Sequence, residues 1–252
     1  MIFTVINSIS LAVVLVVNGF FSLGWLGKSV KAISDERKTV LTPTALTFFI
    51  WIIIYSLQIA FVVFAYIAYP DTLVESIGFY YLVLSILNIL WVVAWCFERI
   101  ELCGIIITGM LGVVFQIYSM FGISYFQGEN QIKFWLYNAP FSMYFGWLCV
   151  AAVLNFFVIG HYDPVGVADA ELKLEADSSQ GMVAIILLVL PCVFLLYNRN
   201  DFIFAGTVAW GLIGIFIAHH DNRKINTGIF IDTLILVSVI IWRIVAIAEG
   251  IK

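Results

Sequence analysis

Eight long, uninterrupted apolar runs constrain this chain more than any other feature; they lie near residues 2–22, 44–69, 78–97, 102–125, 138–160, 182–198, 202–218 and 228–247. A helix needs about 20 mainly apolar residues to cross the hydrocarbon of a bilayer. In that medium only helices and closed barrels satisfy their backbone hydrogen bonds. The runs are continuous rather than alternating, which excludes a barrel. The chain is 63% hydrophobic and 11% charged over 252 residues, whereas a soluble domain carries roughly 25% charged residues. The expected fold class is therefore all-α, a polytopic membrane helical bundle of about eight transmembrane helices. Its place is a plasma membrane or the inner membrane of an organelle. Sixteen acidic residues against twelve basic ones leave no electrostatic footprint for nucleic acid.

The first run lacks a basic segment ahead of it, and no clean small-residue cleavage pattern follows, so it reads as a mature helix rather than a secretory signal. Lys28, Lys31, Arg37, Lys38, Arg99, Lys173, Arg223 and Lys224 fall on one side of the eight spans, and Lys133, Arg199, Arg243 and Lys252 on the other. An excess of Lys and Arg marks the cytoplasmic side, so the first loop is expected in the cytoplasm-equivalent compartment. The one long hydrophilic connection, 161–180, carries Asp163, Asp169, Glu171, Glu175 and Asp177. It divides the chain into a five-helix bundle over 1–160, an acidic linker over 161–180 and a three-helix membrane segment over 181–252. The linker reads as solvated chain, with a docking surface for a basic partner as the alternative.

Motifs for chemistry are scarce. Gly27-Lys28-Ser29 resembles the end of a phosphate-binding loop, but Ser22 stands where that motif needs glycine and no strand precedes it. His219, His220 and Asp221 are consecutive, and neighbours on a helix point about 100° apart, which suits a single ion poorly. Cys96, Cys103, Cys149 and Cys192 lie in or beside apolar spans without C-x-x-C spacing. Every lysine lies in a loop or terminus, which excludes a retinal Schiff base. No nucleophile, base and orienting group gather in one motif, so the expectation is that the protein is not an enzyme and holds no metal.

Polar and aromatic residues do gather, at helical spacing. Span two carries Phe48, Trp51, Tyr55, Gln58, Val62 and Tyr69. Span three carries Leu84, Asn88, Trp91, Trp95 and Glu98. Span five carries Tyr144, Trp147, Ala151, Asn155 and Val158. An amide left unpaired in hydrocarbon costs several kcal/mol, and polar helix faces turn toward the protein interior. Converging, the three stripes would enclose a pocket of ring surfaces with a few hydrogen-bonding groups, suited to a planar apolar ligand rather than an ion. Spacing alone leaves a second reading open, in which the amides tie helices together and the rings form interfacial belts.

Three segments resemble the TspO/MBR family, the tryptophan-rich sensory or translocator proteins. Pro43 followed by "ALTFFIWIIIYSLQIAF" is similar to the start of that family's second helix, with Trp51 and Tyr55 matching and Ile54 and Ile59 in place of Leu and Gly. "LNILWVVAWCFERIEL" is similar to the third helix through Asn88, Trp91 and Trp95. "APFSMYFGWLCVAAVLN" is similar to the fifth through Trp147, Ala151, Leu154 and Asn155, although Met143 stands where the family has proline and Pro140 lies one turn earlier. The resemblance implies a five-helix bundle, often dimeric, with a ligand site between helices closed by the loop after helix one. Family ligands include porphyrins and sterols, and no settled turnover attaches to the family. This chain adds three helices.

The candidate ligand-binding residues are Trp51, Tyr55, Gln58, Asn88, Trp91, Trp95, Tyr144, Trp147 and Asn155. The expected function is a membrane receptor, carrier or sensor for a planar hydrophobic ligand, tetrapyrrole or sterol-like. No cofactor is obligatory, and porphyrin, haem or lipid are the candidate occupants. The alternatives are an accessory subunit of a larger membrane complex and, third, an ion-coupled transporter. Expected partners are membrane lipids, a homodimeric copy or a larger membrane complex.

Overall fold

In a computed structural model of the chain, structure is described for residues 2–67, 72–120, 134–161 and 170–250. Among these all regular structure is helical and there is no strand. Helix α1 spans Ile2–Ser22, and a short amphipathic α2 follows at Val30–Glu36. A 3₁₀ turn, Ala45–Phe49, leads into α3, Ile50–Ile67. Next come α4 at Thr72–Cys96 and α5 at Ile100–Met120. A π-helical turn, Phe134–Asn138, opens α6 at Ala139–His161. The chain then forms α7 at Ala170–Arg199, α8 at Phe202–Ala218 and α9 at Arg223–Ala248.

Apart from α2, each helix is one of the apolar runs, and polar residues set the boundaries. Ser29 caps α2 by accepting from Ala32 N at 3.1 Å. Asp201 and Asn222 cap α8 and α9 in the same way. Each cap satisfies one of the orphan N–H groups at a helix start. Among the described residues seven helices are long and apolar enough to cross a membrane. The eighth, α8, has 17 residues, about 25 Å at 1.5 Å per residue. The protein is thus a multi-pass all-α membrane bundle.

Helix α6 is its axis. Half of its apolar window is buried, against 22% for α9, and it packs against α3, α5, α7 and α8. Lipid tails are as apolar as leucine, so helix association in a bilayer relies on close packing at small residues. Gly146 of α6 lies against the Phe204 carbonyl, and Gly211 of α8 against Val150. A Cβ at Gly211 would sit 2.9 Å from Val150 Cγ1, so the C-terminal helices are seated directly on the N-terminal bundle.

One expectation needs correction. The stretch 161–180 is not linker throughout, because α7 begins at Ala170; residues 162–169 lie outside the described structure. His161, at the end of α6, contacts Gln180 on α7, so the two helices are joined side to side. Arg243 does not reach outward from the last span. It is 7% exposed, donates from Nε to Asn200 Oδ1 at 2.7 Å and lies over the Tyr197 ring.

A candidate ligand groove beneath the first loop

The loop after α1 folds back over the bundle and forms one wall of an open groove. Three helices supply the floor. Phe48 comes from the 3₁₀ turn and Trp51 from the start of α3, Trp91 and Trp95 from α4, and Trp147, Ala151, Leu154, Asn155 and Val158 from α6. The lid is Val30 and Ser34 of α2 and Arg37 just beyond it, continued by Thr39, Thr42 and Pro43. With the open space at its mouth included, the groove has a volume of about 590 Å³.

Its floor is aromatic and ordered. Trp91 and Trp95, one helical turn apart, stack at 5.4 Å and 16°. Trp51 meets Trp147 edge-on at 6.2 Å, and Phe48 meets Trp147 edge-on at 6.0 Å. The indole N–H groups hold neighbouring elements. Trp91 Nε1 donates to Asn155 Oδ1 at 3.2 Å, joining α4 to α6, and Trp95 Nε1 donates to the Val30 carbonyl at 3.1 Å, joining α4 to the lid. Trp147 differs: it is 1% exposed and its Nε1 has no partner. A buried donor left without an acceptor costs about 1–3 kcal/mol, so an acceptor in the groove would recover that cost.

Charge enters only at the rim. Glu98, in the turn between α4 and α5, accepts from Lys28 Nζ at 3.0 Å and from Arg37 Nη2 at 2.9 Å. Lys28 and Arg37 hold the Glu98 carboxyl below the ordinary glutamate range, and Glu36 and Glu98 hold the Lys28 ammonium above the ordinary lysine range. Three ionic groups thus fasten α2 to the α4–α5 turn.

The nine residues singled out from the sequence do not line one space. Trp51, Trp91, Trp95, Trp147 and Asn155 line the groove. Tyr55, Gln58, Asn88 and Tyr144 line a second, deeper cavity of about 260 Å³ with Leu11, Val14, Tyr81, Leu84 and Ser85. Trp51 separates the two, stacked on Tyr55 at 5.3 Å and edge-on to Tyr144 at 5.8 Å. In the inner cavity Asn88 Nδ2 donates to the Tyr144 hydroxyl at 2.9 Å, and Asn88 Oδ1 accepts from Asn18 Nδ2 at 2.8 Å. Gln58 Nε2 reaches the Pro140 carbonyl at 3.4 Å, and its Oε1 has no partner. The inner amides therefore mainly join helices, while the rings and Asn155 face the groove. Trp95 is 6% exposed and is no belt residue; Tyr69 lies outside the described structure.

Sequence reasoning missed Arg37, Thr39, Thr42 and Asn18. Loop residues carry no periodicity, and Asn18 lies eleven residues from Asn7, the other amide of its span, with no aromatic stripe beside it. The consecutive His219, His220 and Asp221 do not converge, because His219 turns to the Thr42 carbonyl while His220 pairs with Asp221 at 3.2 Å. Among the described residues no group of three or more His, Cys, Asp or Glu could hold a metal ion.

An all-helical, multi-pass membrane bundle with a tryptophan-floored groove under its first loop defines the class of protein. Comparison with known families places it further: the TSPO-like protein family matches residues 4–248, so the chain belongs to that family. The match continues past the fifth span through all three C-terminal helices. No curated protein and no solved structure matches the chain.

Proposed function

We propose that the groove holds a planar, largely apolar molecule with an acidic edge, and that the protein serves as membrane receptor, carrier or sensor for it. A tetrapyrrole has that chemistry. The observation that carries the reading is the set of four indoles around one open groove, with the buried Trp147 N–H lacking an acceptor. Flat rings present their faces or edges to a flat guest, each such pair adding about 0.5–1.5 kcal/mol beyond area burial. At the rim Arg37 offers a guanidinium, whose five donors can hold Glu98 and a ligand carboxylate together. A sterol would use the floor and leave the rim cation without a role. The excess of Lys and Arg on the lid side supports a mouth facing the cytoplasm-equivalent compartment.

The test is titration of the protein in lipid nanodiscs with protoporphyrin, following tryptophan quenching against empty nanodiscs. Saturable binding is expected, weakened about tenfold by Trp51→Ala and several-fold by Trp147→Phe, which removes one hydrogen bond worth about 1 kcal/mol. The porphyrin dimethyl ester should bind more weakly than the acid, and Arg37→Gln should erase that difference. Partitioning no better than into empty nanodiscs, or affinity unchanged by both tryptophan variants, contradicts the reading.

A further inference from the structure

We infer that α8 positions the lid of the groove, so that Trp210, Gly214 and His219, none of which lines it, set how tightly it closes. The inference rests on the groove being the binding site for its effect on affinity, but its structural part stands alone.

The lid segment between Val40 and Thr47 is held, residue by residue, from the C-terminal helices. Leu41 is fully buried, and a Cβ at Gly181 of α7 would lie 3.2 Å from Leu41 Cδ2. The Thr42 carbonyl faces His219 Nε2 at 2.9 Å, which must carry the proton there. Thr44 N–H donates to the Gly214 carbonyl at 3.1 Å. Trp210 Nε1 donates to the Thr47 carbonyl at 2.9 Å. These contacts punctuate the stretch that supplies Thr42, Pro43 and Phe48 to the groove wall.

Two features single out this attachment. A helix-interior carbonyl is normally committed to the amide four residues on; the Gly214 carbonyl takes a bond from outside its helix. Gly214 also permits contact that no other residue allows, since a Cβ there would collide with the Thr47 side chain. Gly206, on the same helix, has nothing within 4 Å of where its Cβ would be. An added methyl at 214 therefore pushes the lid off α8, and the same methyl at 206 does not. The ionic clamp at Glu98 holds the other end of the lid, so release from α8 opens the groove from the α3 side.

The experiment measures thiol modification in ligand-free nanodiscs with Ser34→Cys, on the groove-facing side of α2, as reporter. Native Cys192, fully buried on α7, reports general loosening. Gly214→Ala should raise the reporter's modification rate roughly tenfold and Trp210→Phe roughly threefold, with Cys192 still protected and Gly206→Ala without effect. Protoporphyrin affinity should fall in the same order. If Gly214→Ala also exposes Cys192, Trp210→Phe decides, because it removes one N–H and keeps the ring. A reporter rate unchanged by Trp210→Phe, or raised equally by Gly206→Ala, overturns the inference. A raised rate in a protein that binds no porphyrin upholds the positioning role and removes the ligand reading alone.

Discussion

Glu98 is the residue on which the lid's outer attachment turns. It occupies a three-residue turn between α4 and α5 and has φ of +60°, a left-handed backbone that costs an L-residue about 1–2 kcal/mol. That conformation ends α4 sharply and leaves the carboxylate between Lys28 and Arg37. Since its pKa is lowered in the fold, its contribution is complete above the ordinary glutamate value of about 4.3 and disappears as pH falls through the lowered one. Lys28 is shifted upward, so its share persists through neutral pH and is lost only in strong base. The clamp should thus be intact at pH 7 and fail only in acid, as pH falls through the lowered Glu98 value. These side chains are nearly half exposed apart from Arg37, so salt should weaken them as well. Amide-exchange protection factors over Val30–Pro43 are expected to drop in an acid titration once Glu98 is protonated, in 1 M salt at pH 7, and on Glu98→Gln. Protection identical under all three conditions would show that the ion pairs hold nothing. None of this was legible in the sequence beyond a charged turn, since the partners of Glu98 lie some sixty residues away.

The short helix α8 shows how far an element can depart from what its composition suggests. Its 17 residues carry one hydroxyl, Thr207, and no charge, yet it is fixed by polar groups at both ends. At its start Asp201 is 5% exposed and accepts from Phe204 N, from Ser142 Oγ at 2.7 Å and from Tyr118 OH at 2.6 Å. One carboxylate thus caps α8 and ties it to α5 and α6. Asp201→Ala removes a cap worth about 1 kcal/mol and leaves buried hydroxyls without their acceptor, at about 1–3 kcal/mol. A loss of about 3 kcal/mol is expected in a denaturation series, with Asp201→Asn retaining most of the stability. An Ala variant as stable as the parent would refute that account. The eight spans were readable because hydrocarbon demands them, and their boundaries fell close to the observed helices. The start of α7 was not, because Ala170-Glu171-Leu172-Lys173-Leu174-Glu175-Ala176 combines strong helix formers with a charge density that reads as solvated loop. Which helices pair was illegible too. Gly146, Gly211 and Gly214 govern it, and a glycine in an apolar run carries no sign of what lies against it.

At the scale of the molecule, the aromatic and amide stripes of α3, α4 and α6 do turn inward, but they divide between an outer groove and an inner hydrogen-bonded cavity, with Trp51 between them. The periodicity of the stripes showed which faces meet; it could not show the partition, because that depends on how the Trp51 ring lies across the helix interface. The lid was legible only through the family resemblance. Helices α7 and α8 contact the lid segment, so the family match over residues 4–248 covers both the groove and the helices against which its lid rests. The most direct test is photo-crosslinking of the protein in nanodiscs with a diazirine-bearing porphyrin, followed by peptide mapping. Label is expected on peptides containing Thr39–Trp51, Trp91–Trp95 and Trp147–Asn155, and to be competed away by unmodified protoporphyrin. Label spread over the lipid-facing sides of α1 and α9, without competition, would contradict a ligand groove beneath the first loop.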